Sequence, residues 1–137
     1  VIEGRVHHVG WAVSDLGTAT RALERMGYGP DPELPDCEDP QFKVMLRFLR
    51  PRDGGALVEL VCPTGEASSV SGILARSGPG PYHLAYRVAD LGAAEAGLRS
   101  LGFRQSTRRT LAPALGGRPI VFWHHPEVGL VELVEWP

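Results

Sequence analysis

The stretch His8-Val-Gly-Trp-Ala-Val-Ser-Asp-Leu-Gly17 returns 75 positions later as His83-Leu-Ala-Tyr-Arg-Val-Ala-Asp-Leu-Gly92. The correspondence continues through Leu23 with Leu98, Gly27 with Gly102, and Tyr28 with Phe103. Further on, Val58-Glu-Leu-Val61 recurs letter for letter as Val131-Glu-Leu-Val134, now at an offset of 73. A gap of two residues in a loop accounts for the change. Matches this dense and in the same order mark a duplicated module, and such a repeat governs the fold before any local propensity does.

Both copies read alike. Residues 6–13 and 82–88 are short, apolar and aromatic-rich, as strands are. Asp15 and Asp90 then precede Ala/Leu-rich stretches, 16–26 and 91–101, with helical spacing. An aspartate there accepts hydrogen bonds from the free N–H groups of a first helical turn. Gly27 and Gly102 stand where a helix C-terminus wants a left-handed residue. Segments 42–50 and 56–62 predict a hairpin around Pro51-Arg-Asp-Gly-Gly55, and 119–125 and 129–135 another around His125-Pro-Glu-Val-Gly129. A further strand is expected near 104–111 and, on a weaker pattern, near 31–37. Each module is therefore βαβββ, an α+β arrangement. The expected organisation is one domain over 1–137, with module one at about 4–63, a connector at 64–81 and module two at about 82–136. The connector carries a short helix at 68–76 and ends in Gly78-Pro-Gly-Pro81.

Composition narrows the function classes. Fourteen Lys and Arg against sixteen Asp and Glu give a net charge of −2, so no nucleic acid or anionic membrane is expected as partner. No apolar run approaches the roughly 20 residues needed to span a bilayer. Two isolated thiols, Cys37 and Cys62, and no signal-peptide pattern suit a reducing compartment, so a cytoplasmic location is expected.

Strand alternation then isolates four side chains. His8 shares a face with Gly10 and Ala12, while Val9, Trp11 and Val13 point the other way. His83 shares its face with Ala85 and Arg87, against Leu84, Tyr86 and Val88. The larger apolar residues pack on the helix of their module, and the small neighbours Gly10 and Ala85 leave space beside the histidines. Glu59 and Glu132 lie mid-strand among Val and Leu, where an ionised carboxylate is costly unless paired or metal-bound. One such glutamate would read as a sheet-edge residue facing water; two at repeat-equivalent positions, matched by two repeat-equivalent histidines, do not. Two imidazoles and two carboxylates neutralise a divalent cation and suit Zn, Mn, Co, Ni or Fe.

Other residues offer less. Arg87 could meet a substrate carboxylate or phosphate through its planar fork, and a plain surface arginine fits equally well. Lys43 and Arg47 lie opposite Phe42, Val44, Leu46 and Phe48. They either face a substrate or form a solvated strand face, the plainer account. His7 alternates away from His8 and reads as structural, His124 and His125 as turn residues, and Trp11, Tyr86 and Trp123 as core.

The motifs His8-Val-Gly, Val58-Glu-Leu-Val-Cys-Pro63, Tyr82-His-Leu-Ala-Tyr-Arg-Val-Ala-Asp-Leu91 and Gly129-Leu-Val-Glu-Leu133 resemble the vicinal oxygen chelate superfamily. That superfamily includes glyoxalase I, methylmalonyl-CoA epimerase, extradiol dioxygenases and bleomycin-resistance proteins. The resemblance covers essentially the whole chain. It implies two tandem βαβββ modules forming a cupped mixed sheet around one divalent metal ion, with His8, Glu59, His83 and Glu132 as ligands. Dioxygenases of the family use two histidines and one glutamate, so an acid at Glu59 favours the epimerase and glyoxalase branches. Bleomycin-resistance proteins generally lack the ligands altogether.

Within the family, Pro81-Tyr-His-Leu-Ala-Tyr-Arg-Val88 and Gly116-Gly-Arg-Pro-Ile-Val-Phe-Trp-His-His-Pro126 look most like methylmalonyl-CoA epimerase. That epimerase carries an acid on the third strand of its first module, and residues 41–49 here contain none. The implied chemistry is proton abstraction next to a carbonyl, with Glu132 or Glu59 as the base and a small molecule, such as an acyl-thioester, as substrate. Family members often dimerise, which leaves a homodimer open. The alternatives are a glyoxalase I-like lyase, a non-catalytic protein that binds an antibiotic or other small molecule, and an accessory domain of a biosynthetic assembly.

Overall fold

A computed structural model describes residues 2–137. The first module runs β1 (Gly4–Ala12), α1 (Leu16–Arg25), β2 (Tyr28–Pro30), β3 (Cys37–Asp39), β4 (Val44–Pro51) and β5 (Leu57–Pro63). After the connector helix α2 (Ser69–Ser77) the order repeats as β6 (Gly80–Val88), α3 (Leu91–Ser100), β7 (Arg104–Gln105), β8 (Thr110–Ala112), β9 (Arg118–His125) and β10 (Gly129–Glu135).

The helices begin where the sequence caps them. Asp15 accepts a hydrogen bond from the Thr18 N–H at 2.6 Å, and Asp90 one from the Ala93 N–H at 2.9 Å. Gly27 and Gly102 close the two helices at φ 97° and 89°, a conformation that costs a side-chain-bearing residue strain. Ser68 caps α2 through the Val70 N–H. No helix among the described residues is long and apolar enough to cross a membrane.

All ten strands belong to one mixed sheet, in the order β2-β4-β5-β1-β6-β10-β9-β7, with β3 also on β4 and β8 also on β9. The third module element is thus split in both halves: two short strands share one partner where the sequence suggests a single strand. In the first half those strands bracket, and do not fill, the expected 31–37. Asp31 breaks the run there, its carboxylate accepting from the Glu33 N–H and from Arg50 while its carbonyl takes the Leu34 N–H. The modules meet at the centre, where β1 and β6 pair antiparallel; β1 then pairs parallel with β5, and β6 parallel with β10.

One face of each half carries the helix. Val13, Leu23, Leu49, Val58 and Leu60 form the core under α1. Val88, Leu91, Ala94, Leu98, Val121, Trp123, Val131 and Leu133 form its counterpart under α3. Burying each such aliphatic side chain stabilises the fold by about 1.5–3 kcal/mol. The opposite face, with Val44, Leu46, Phe48, Val61, Ala85, Ile120 and Val134, lines the concave side.

Two bulges interrupt the central pairing. Val6 pairs with Tyr86 and His8 with Ala85, which leaves His7 as an extra residue on β1. Gly10 pairs with His83 and Trp11 with Pro81, which leaves Tyr82 as an extra residue on β6. A bulge re-aims the side chain it displaces. Hence the expectation that His7 points away from His8 is overturned: both rings lie on the same side, in contact. Strict alternation cannot foresee this, because it assumes an unbroken ladder.

Candidate metal centre

β1 and β6 place His8 and His83 side by side, and the flanking strands β5 and β10 bring Glu59 and Glu132 over them. His8 Nε2 stands 3.1 Å from His83 Nε2. Glu132 Oε2 lies 3.2 Å from His8 Nε2 and 3.0 Å from His83 Nε2, and Glu59 Oε1 lies 3.6 and 3.8 Å from the same two nitrogens. All four side chains are buried, and their candidate ligand atoms fall within 4.8 Å of one another.

This donor set fits a divalent ion. Donors about 2.1 Å from a metal stand roughly 3.0 Å apart at right angles and roughly 3.4 Å apart at tetrahedral corners. The separations among His8, His83 and Glu132, 3.0–3.2 Å, fall within that range, and Glu59 Oε1 stands just outside it at 3.6 and 3.8 Å. Two imidazole nitrogens facing each other beside two carboxylate oxygens are donors of the kind that hold such an ion.

The charges shape one another. Burial works against ionising Glu132, but hydrogen bonds from His8 and His83 outweigh it and hold the carboxyl at about 2. Burial pushes the Glu59 carboxyl up, against the pull of His8. Burial also opposes charging His8, yet Glu59 and Glu132 together raise it above the usual imidazole range. A raised imidazole keeps its proton to higher pH, so a metal ion must displace that proton to bind. Metal uptake is therefore expected to release protons near neutrality, and apparent affinity to rise with pH until the His8 pKa is passed. Calorimetry in buffers of different ionisation enthalpy measures this; uptake with no buffer dependence would contradict it.

Small residues make room for the rings. A Cβ built on Gly10 would stand 2.0 Å from His83 Cε1 and 2.1 Å from its Nδ1, so the imidazole lies directly on the glycine backbone. Tyr82 and Phe122 hold the same ring edge-on, at centroid distances of 4.6 and 5.2 Å. Phe48 does likewise for His8 at 5.3 Å.

The glutamates open onto a cavity of about 290 Å³ on the concave face. Its walls are mainly apolar, including Phe42, Val44, Leu46, Ile73, Leu115 and Phe122. Six polar residues on this wall escape the sequence reading: Asp39, Ser69, Arg76, Tyr82, Ser106 and Thr107. Asp39 commits Oδ1 to the N–H groups of Gln41 and Phe42. Tyr82 is the repeat-mate of His7, and burial, reinforced by Glu59 and Glu132, raises its phenol well above the ordinary value, so it stays neutral. The repeat alignment is the one signal in the sequence that points to it.

The three arginine and lysine candidates lie elsewhere. Arg47 points to the outer face, where it pairs with Asp36 at 2.7 Å and donates to Thr20 Oγ1 at 3.0 Å. The concave face is taken by its apolar neighbours Val44 and Leu46, so Arg47 lies on the outer strand face, the plainer of its two accounts, and does not face the cup. Lys43 sits exposed in the turn just before β4 with φ 55° and does not line the cavity. Arg87 does share the inner side with His83, but lines a second cavity of about 630 Å³ with His7, Arg50 and Trp136. His125 closes the β9–β10 turn by accepting from the Glu127 and Val128 N–H groups.

Similarity to known proteins follows the same lines. The model of the Glyoxalase/Bleomycin resistance protein/Dioxygenase superfamily matches residues 7–122. The chain is 34% identical over 140 residues to the ethylmalonyl-CoA/methylmalonyl-CoA epimerase of Cereibacter sphaeroides, across 95% of this chain and 96% of that protein. The crystal structure of methylmalonyl-CoA epimerase from Mycobacterium tuberculosis superposes with a TM-score of 0.80 at 30% identity, over 96% of this chain and 87% of that one. A variant of the Streptomyces coelicolor methylmalonyl-CoA epimerase in complex with 2-nitronate-propionyl-CoA gives a TM-score of 0.77 at 29% identity, over 96% of each chain. On its duplicated sheet, its paired histidines and glutamates and this match, the chain belongs to the glyoxalase/bleomycin resistance protein/dioxygenase superfamily.

Proposed function

We propose that this protein is a metal-dependent epimerase that moves the proton next to the carbonyl of a 2-methylmalonyl-type acyl-thioester. The observation that carries the proposal is the set of four buried donors at the wall of an apolar cavity. His8, Glu59, His83 and Glu132 would hold the ion, whose chemistry when bound is that of a Lewis acid for a carbonyl oxygen. The likeness to acyl-CoA epimerases favours a thioester over other carbonyl substrates.

The chain itself supplies the proton handling. Glu59 and Glu132 come from opposite modules and reach the imidazole pair from β5 and β10. Epimerisation takes a proton from one face of a carbon and returns one to the other, a task that two carboxylates can divide, one accepting and one donating. The apolar walls keep competing water from the carbanion-like centre.

The same symmetric pair would also serve a glyoxalase-type reaction, in which the proton moves between adjacent carbons. Assays with a 2-methylmalonyl thioester and with a glutathione hemithioacetal separate the two. Elemental analysis tests the shared foundation: the purified protein is expected to carry close to one transition metal per chain, and His8→Ala essentially none. Absence of uptake of Zn²⁺, Mn²⁺, Co²⁺ and Ni²⁺ by the parent would sink the proposal.

A further inference from the structure

We infer that His7 is a positioning residue for the metal centre, accepting a hydrogen bond from His8 Nδ1 so that His8 Nε2 is left free to bind the ion. The inference rests on the metal-site reading above and adds a residue to it. His7 Nδ1 and His8 Nδ1 are 2.8 Å apart, both rings buried. One proton lies between these nitrogens, and for a neutral His8, the form that can ligate, it has only two arrangements. If His7 donates, a neutral His8 carries its one proton on Nε2, the atom that faces His83 and Glu132, and cannot ligate there. If His8 donates, Nε2 presents its lone pair to the cluster. Metal binding through Nε2 requires the second arrangement.

The fold holds His7 in place for that arrangement in two ways. The bulge in β1 turns His7 inward, against the alternation of the strand. Trp136 and Phe48 then hold its ring, at centroid distances of 5.2 and 6.2 Å. The repeat provides an internal contrast. The matching bulge in β6 turns Tyr82 inward beside His83, but Tyr82 makes no hydrogen bond to it, and His83 Nδ1 is buried without a partner. One histidine of the pair is thus oriented by a hydrogen bond and the other by packing on Gly10. An orienting partner on the far ring nitrogen fixes the tautomer and raises the basicity of the ligating one, and its loss weakens metal binding by about 10–100-fold.

Two measurements test this on the Zn²⁺-loaded protein. In 15N-labelled protein a scalar coupling is expected between the Nδ1 nuclei of His7 and His8, transmitted through the hydrogen bond; resolved imidazole signals without it would overturn the inference. In chelator competition, His7→Phe is expected to bind Zn²⁺ about 10–100-fold more weakly than the parent. His7→Asn, whose amide oxygen stands where Nδ1 stood, is expected to stay close to the parent. Parent-like affinity in a folded His7→Phe, or equal weakness in both variants, would overturn the inference alone. A parent that takes up no Zn²⁺ would sink the proposed function first and this assignment with it.

Discussion

Gly10→Ala is expected to weaken metal binding by at least about 100-fold, more than the loss of an orienting hydrogen bond alone, although it removes none of the four donors. The added methyl would fall 2.0 Å from His83 Cε1 and 2.5 Å from its Nε2. Something must move, and the choices are few. The backbone of β1 is fixed on both sides, by β5 and by β6. The His83 ring is hemmed by Tyr82, Phe122 and His8 at centroid distances of 4.6, 5.2 and 5.3 Å. A flexible side chain would swing aside at small cost; this imidazole must leave its slot and takes Nε2 away from Glu132. Overpacking of this kind also destabilises a fold by about 1–3 kcal/mol, so the melting temperature falls by several degrees but the protein remains folded. Chelator competition beside a thermal melt separates the two effects. Parent-like affinity in the variant would show that His83 does not depend on the space above Gly10.

That glycine also shows why much of the centre is legible in the amino-acid sequence. A histidine beside a small residue, repeated once in the chain, needs only strand alternation to place it, and alternation holds from His8 to Gly10 and from His83 to Val88. The mid-strand glutamates are legible for the same reason, since β5 and β10 pair without interruption with both their neighbours. What escapes is what depends on a break in the ladder. His7 and Tyr82 are displaced by bulges that no residue pattern announces, and in sequence both look like ordinary strand positions. Arg47 illustrates a different limit. Alternation puts it opposite Val44, Leu46 and Phe48, which is correct, but which face is concave depends on how the sheet curves around its helices. Asp36 and Thr20 meet the guanidinium on the outer side. No strand fills 31–37 because Asp31 satisfies local backbone groups with its own side chain, a competition that strand propensity does not weigh.

The second large effect concerns the proton. Replacing Glu132 or Glu59 by Gln is expected to reduce epimerisation by about 10²–10⁴-fold, the usual contribution of a positioned acid or base. Gln keeps the size of the side chain and an oxygen donor, so the metal content should stay near that of the parent, and elemental analysis of each variant verifies that the loss is not one of metal. Epimerisation alone cannot assign the roles, because either substitution stops it. Exchange with solvent can. If each carboxylate serves one face of the carbon, a variant that keeps one of them still removes the proton from one epimer and returns a deuteron from D₂O to the same face. Glu132→Gln should then label one epimer of the thioester without inverting it, and Glu59→Gln the other. Labelling of both epimers by one variant would mean that the remaining carboxylate reaches both faces. Parent-like turnover in a metal-loaded variant would show that the substituted carboxylate does not take part. Loss of all exchange in one variant and full exchange in the other would leave a single base, with its partner serving only to hold the ion.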